Sequence, residues 1–134
     1  MRKLLMLTVP LAFMLGSCLD NDNSVRYTDY ITIDAGVLPD TSVVNATVHV
    51  PIRATAPNTC WHSIRFIHEV DSDTLYQYAA LATFENHGET CEDVLVTKDS
   101  TFNFIPTELG SYVFAFYSVN EETVTDTIVV VSEK

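Results

Sequence analysis

The sequence predicts an all-β domain, a two-sheet antiparallel sandwich of seven to eight strands over residues 27–134. Three observations predict it. No window beyond residue 26 keeps a helical period, whereas runs rich in Val, Ile, Thr, Tyr and Phe recur throughout. Asn, Asp, Gly and Pro break these runs at roughly the 8–12-residue spacing of sandwich strands. The clearest run alternates strictly: Val48, Val50, Ile52 and Ala54 against Thr47, His49, Pro51 and Arg53. A partly open barrel of the same strands is the competing arrangement.

Taken in order, residues 27–33 form the first predicted strand and 36–40 the break after it. The alternating run at 47–54 reads as a half-buried strand, and Pro51 predicts an edge or a bulge because it cannot donate to a ladder. Residues 56–59 are a loop. In the strand at 62–70, Ile64, Phe66 and Val70 share one face, with Trp61, Arg65, Ile67 and Glu69 opposite. Asp71, Ser72 and Asp73 turn the chain. Residues 75–84 follow, with Tyr76 and Tyr78 on one side, then a turn at 86–89. Residues 92–97 are a short strand, broken at Lys98-Asp99-Ser100 before another at 101–105. After a hairpin at 120–122, residues 123–131 close the domain. Asp126 falls on the face of Val124, Ile128 and Val130, which predicts a bulge beside it.

Phe102-Asn103-Phe104-Ile105-Pro106 leads through Glu108, Leu109 and Gly110 into Tyr112, Phe114 and Phe116. This passage resembles the approach to the sixth strand of immunoglobulin-like sandwiches. The resemblance implies that Tyr112 hydrogen-bonds back to the chain and that Phe114 stands where antibody domains carry a cysteine.

The N-terminus carries a different signal. Arg2 and Lys3 precede an apolar run at 4–15, which is shorter than the roughly 20 residues that span a bilayer. Leu15-Gly16-Ser17-Cys18 ends it. These four residues resemble the lipobox of bacterial lipoproteins, and with the acids that follow they resemble the start of a small lipoprotein of the Bacteroidota type; this resemblance covers only the first two dozen residues. The resemblance implies that residues 1–17 are a signal peptide and that Cys18 is lipidated. It also implies a tether at 18–26 leading to the immunoglobulin-like domain at 27–134. Several acyl chains anchor where one binds only marginally. Leu19 implies the outer membrane, and Asp20 with Asp22 implies the cell surface, with a periplasm-facing domain as the alternative.

Once Arg2 and Lys3 leave with the signal, five basic residues face 18 acids, a formal charge of −13. Such a chain repels phosphate backbones, so no nucleic-acid partner is expected. Cys60 and Cys91 remain as an even pair in an oxidising compartment, and a disulfide is the expected outcome. Closing a loop of about 30 residues stabilises a small domain by about 3–4 kcal/mol. Zinc held by Cys60, His62, His87 and Cys91 is the alternative use of these residues, at a spacing unlike known fingers. Asp71/Asp73 and Asp20/Asp22 lack the glycine and distant glutamate of a calcium loop. No nucleophile motif, phosphate loop or metal centre is expected, and no cofactor; His49 and His68 read as surface or rim residues.

Trp61, Arg65, Tyr76, Tyr78 and Tyr117 are the candidate ligand platform, if strand alternation puts them on one exposed face. Asp73-Thr74, Asp99-Ser100 and Asp126-Thr127 match short O-glycosylation patterns. The functional expectation is a non-enzymatic, membrane-anchored binding, adhesion or accessory module for a glycan or protein ligand. An envelope inhibitor or immunity-type protein that binds a secreted enzyme or toxin is the second reading; its acidic surface would suit a basic partner.

Overall fold

The computed structural model describes residues 23–119 and 122–133. Eight strands follow one another: β1 (Val25–Ala35), β2 (Thr41–Val43), β3 (Val48–Ala56), β4 (Trp61–Ser72), β5 (Leu75–Asn86), β6 (Val96–Phe104), β7 (Gly110–Phe116) and β8 (Val124–Val131). Among the described residues no helix is long and apolar enough to cross a membrane.

All eight strands belong to one hydrogen-bonded sheet. Its order is β2-β8-β7-β5-β1-β3-β6, with β4 paired to β5. Two pairings are parallel, β2 with β8 and β5 with β7. The fold is therefore a single, open, mixed sheet, which overturns the expected immunoglobulin-like sandwich of two antiparallel sheets. The cause lies in β1. Residues Val25 to Ile31 pair with β5, and Thr32 to Ala35 pair with β3. One long strand thus stitches together what the pattern suggested were separate sheets. Alternation reports which side of a strand is buried, not which neighbour it pairs with or in which direction.

The sheet folds over on itself, and its core lies inside the fold. Phe104 of β6 packs against Tyr112 and Phe114 of β7, with ring centroids 5.0 and 5.2 Å apart, although three strands separate them in the hydrogen-bonded order. Phe114, Phe116, Ile128 and Val50 are fully buried. Each such side chain contributes about 1.5–3 kcal/mol relative to exposure.

Several local expectations change. β3 buries Val48, Val50, Ile52, Ala54 and Ala56 in strict alternation, yet it is flanked by β1 and β6 and is not an edge. Pro51 is tolerated because β1 ends there: its ladder to β3 stops at the Ala35–Ile52 pair, and the Gly36 N–H donates to the Pro51 carbonyl at 2.7 Å. β6 runs unbroken through Lys98-Asp99-Ser100, because Asp99 bonds Arg53 on β3 and Lys98 reaches β4. β7 and β8 pair without a register shift at Asp126, so the bulge expected there is absent. The Tyr112 hydroxyl does donate back to the chain, to the Glu108 carbonyl at 3.1 Å, but this corner does not bring the sandwich with it.

Candidate binding site

The five platform residues are divided between two faces. The alternation of β5 turns Tyr76 and Tyr78 inward, and an irregularity in β4 separates Trp61 from Arg65. Its register against β5 slips between His62 and Arg65, where Ser63 takes a left-handed φ of 54°. The extra residue reverses the alternation, as bulges do. Trp61 therefore lies opposite Phe84 on the core side of the sheet, and Arg65 opposite Leu81 on the outer side. Tyr78 is buried at 2 % exposure, stacked on Phe116 at 5.4 Å. Tyr76 is half-buried against Phe114 and Phe104. Burial pushes the Tyr78 hydroxyl up to about 12, with neighbouring Tyr76 adding to the rise. Only Arg65 and Tyr117 remain on the outer face. His68, expected at a rim, is exposed and stacks on Tyr78 at 4.9 Å.

Tyr117 has a partner that sequence reasoning did not single out. Tyr30 of β1 lies 5.1 Å from it, ring centroid to centroid and tilted by 57°. Both rings are more than 40 % exposed. They stand beside a groove of about 350 Å³ whose lining includes Ile67, Glu69, Gln77, Ala79 and Ala115. The small side chains of Ala79 and Ala115 leave a low floor between the taller walls. The signal for Tyr30 was present in the first strand: Ile31 and Ile33 face the core, so Tyr30 must face away with Thr28 and Thr32.

Tyr30 also lines a second groove, of about 480 Å³, with Tyr27, Asp29, Asp34, Trp61 and Leu95. Its aromatic wall is rigid. Tyr27 stacks on Phe84 at 5.0 Å, and Trp61 meets both rings edge-on, at 5.7 Å from Tyr27 and 5.4 Å from Phe84. Leu95 at the rim is 64 % exposed.

The expected disulfide between Cys60 and Cys91 is present and ties the start of β4 to the segment before β6. It uses both thiols that a zinc site would have needed. His62 and His87 instead meet one carboxylate: Nε2 of His62 lies 2.9 Å from Glu85 Oε2, and Nε2 of His87 lies 3.1 Å from Oε1. The hydrogen bond from His62 is the main cause that holds the Glu85 carboxyl below its ordinary range, with Arg26 and His87 assisting. Among the described residues no group of three or more His, Cys, Asp or Glu is arranged to hold a metal ion.

No family model, curated protein or solved structure matches the chain. The resemblance to a lipoprotein that carries an immunoglobulin-like domain is corrected at the domain, since the single mixed sheet is not that fold. The leader at 1–17, Cys18 and the acids at 20 and 22 lie outside the described residues.

Proposed function

We propose that this chain is a membrane-anchored binding module that holds a neutral glycan against the outer face of its sheet, and that it acts by binding rather than by catalysis. The observation that carries the reading is the exposed Tyr30–Tyr117 pair beside the low floor of Ala79 and Ala115. Two tilted aromatic rings offer stacking surface to the apolar face of a sugar ring. Glu69 and Gln77 in the same lining supply hydrogen-bonding groups for hydroxyls. A net charge of −11 over the whole chain disfavours anionic ligands. Attachment through Cys18, with 18–26 as tether, would present this face outside the outer membrane; protease shaving of intact cells that releases no peptide beyond Tyr27 would argue for the periplasmic side.

The test is a panel of neutral and acidic oligosaccharides against the full chain and its Tyr117→Ala variant. Neutral sugars are expected to bind, with the variant about tenfold or more weaker, the scale of one lost stacking partner. Tyr117 is exposed, so the variant should fold. Binding that ignores Tyr117, or no sugar binding at all, overturns the glycan reading.

A further inference from the structure

The second groove shares Tyr30 with the first but has a different chemistry, and the inference drawn from it does not use the glycan reading. We infer that it receives an arginine side chain from a basic protein segment. Its lining includes two carboxylates, Asp29 and Asp34, and no Lys, Arg or His. Beside them stand Trp61 and Tyr27, whose rings are held in place by each other and by Phe84. Aromatic faces attract cations through their quadrupole, and carboxylates do so by charge. A planar guanidinium satisfies both at once, stacking on a ring while forking onto a carboxylate.

The geometry is prepared in advance. Oδ1 of Asp29 accepts the backbone N–H of Tyr30 at 2.8 Å, which fixes the carboxylate's orientation. Three cations on neighbouring strands already have partners. Arg53, paired across the ladder from Asp34 and acting on it by charge, forks onto Asp99 at 2.6 and 3.1 Å, which makes Asp29 the carboxylate left for a guest. Arg26 lies 3.9 Å from Glu85, and Lys98 bonds the Ile64 carbonyl. Charge complementarity therefore favours a positive guest, and an overall charge of −11 would draw a basic partner to it. The exposed apolar rim at Leu95 gives the aliphatic stem of an arginine a surface to lie on. This makes a basic protein the partner class, in line with the second reading of the sequence.

The groove carries its own probe, because Trp61 is the chain's one tryptophan. Full-length protein in detergent would be titrated with a short Arg-Gly repeat peptide, and Trp61 fluorescence followed. Its isostere with citrulline, which keeps the shape but loses the charge, is the paired ligand. The arginine peptide is expected to shift Trp61 emission and to weaken as salt rises. The Asp29→Asn variant should weaken binding about tenfold, whereas Asp73→Asn, at the exposed β4–β5 turn, should not change it. Equal binding of the citrulline peptide overturns the proposal. So does an equal loss in both variants, which would mean diffuse attraction to an acidic surface. Tight binding of tetramethylammonium alone would make the occupant a small cation and overturn the protein segment.

Discussion

Nζ of Lys98 on β6 donates a hydrogen bond of 2.7 Å to the backbone carbonyl of Ile64 on β4. The two strands are free edges of one sheet, each paired on one side only, to β3 and to β5. Folding brings those edges together without a ladder between them. Unpaired edges are templates for association, and a lysine is a common guard. Here the lysine occupies the carbonyl directly. Replacing Lys98 by Met is expected to cost about 1 kcal/mol in chemical denaturation and to raise concentration-dependent association in light scattering. Unchanged stability together with unchanged association would show that the bond guards nothing.

Gly36 is required by closeness rather than by an unusual backbone angle. A Cβ built on it would lie 2.5 Å from Cγ of Pro51 and 3.3 Å from the Pro51 carbonyl oxygen. A proline ring has no flexible end to move aside, and its carbonyl is already the acceptor for the Gly36 N–H. Gly36→Ala should destabilise the fold by about 1–3 kcal/mol, the range for overpacking. The denaturation midpoint would report it. A midpoint equal to that of the parent would mean that β1 and β3 can separate here without loss.

Tyr78 links the core to alkaline pH. Its hydroxyl is pushed from an ordinary value near 10 to about 12, chiefly by burial. The folded state thus holds the proton more tightly than the unfolded chain. The stabilisation is complete below about pH 10 and is lost as pH rises towards 12, amounting to about 2–3 kcal/mol. Tyr78→Phe should flatten this alkaline limb when stability is measured against pH. A Phe variant as alkali-sensitive as the parent would assign the limb to another group.

Glu85 works in the opposite direction. Its carboxyl is held low, first by the hydrogen bond with His62. The stabilisation it brings is present above the ordinary glutamate range, about 4.3, and is lost as pH falls through the lower folded-state value. Glu85→Gln should reduce the fall in stability below about pH 4.5. An acid limb of unchanged steepness in that variant would place the sensitivity elsewhere.

The faces of the strands were largely legible in the sequence, and their partnerships were not. Val48 to Ala54 alternates as the residues dictate, because burial is a property of one strand. The parallel pairing of Leu75 with Val113 depends on how the chain crosses over between β5 and β7, which no local pattern records. The platform failed on β5, whose core face holds Tyr76 and Tyr78, and again at Ser63. Ser63 turns left-handed inside a strand, and every parity argument made across it moved Trp61 to the wrong side. Tyr30 was recoverable from Ile31 and Ile33, but its pairing with Tyr117 needed three strands to be assembled first. The cysteine pair was readable from its even count, since a covalent partner leaves little choice.

The split allegiance of β1 has a mechanical consequence. Tyr30 sits on the same strand that begins at Val25, the point where the described chain enters the fold. Tension between that entry point and a ligand gripped at Tyr30 runs along one stretch of backbone. The covalent backbone of β1 carries it, so the ladder from Val25–Asn86 to Tyr30–Leu81, the β3–β6 arm and the buried aromatics all stay outside the load path. A pull applied instead at the last strand would have to cross β8, β7 and β5 before reaching the same tyrosine. A pull between the entry point and the exposed tyrosine thus asks nothing of the hydrogen bonds that hold the fold together.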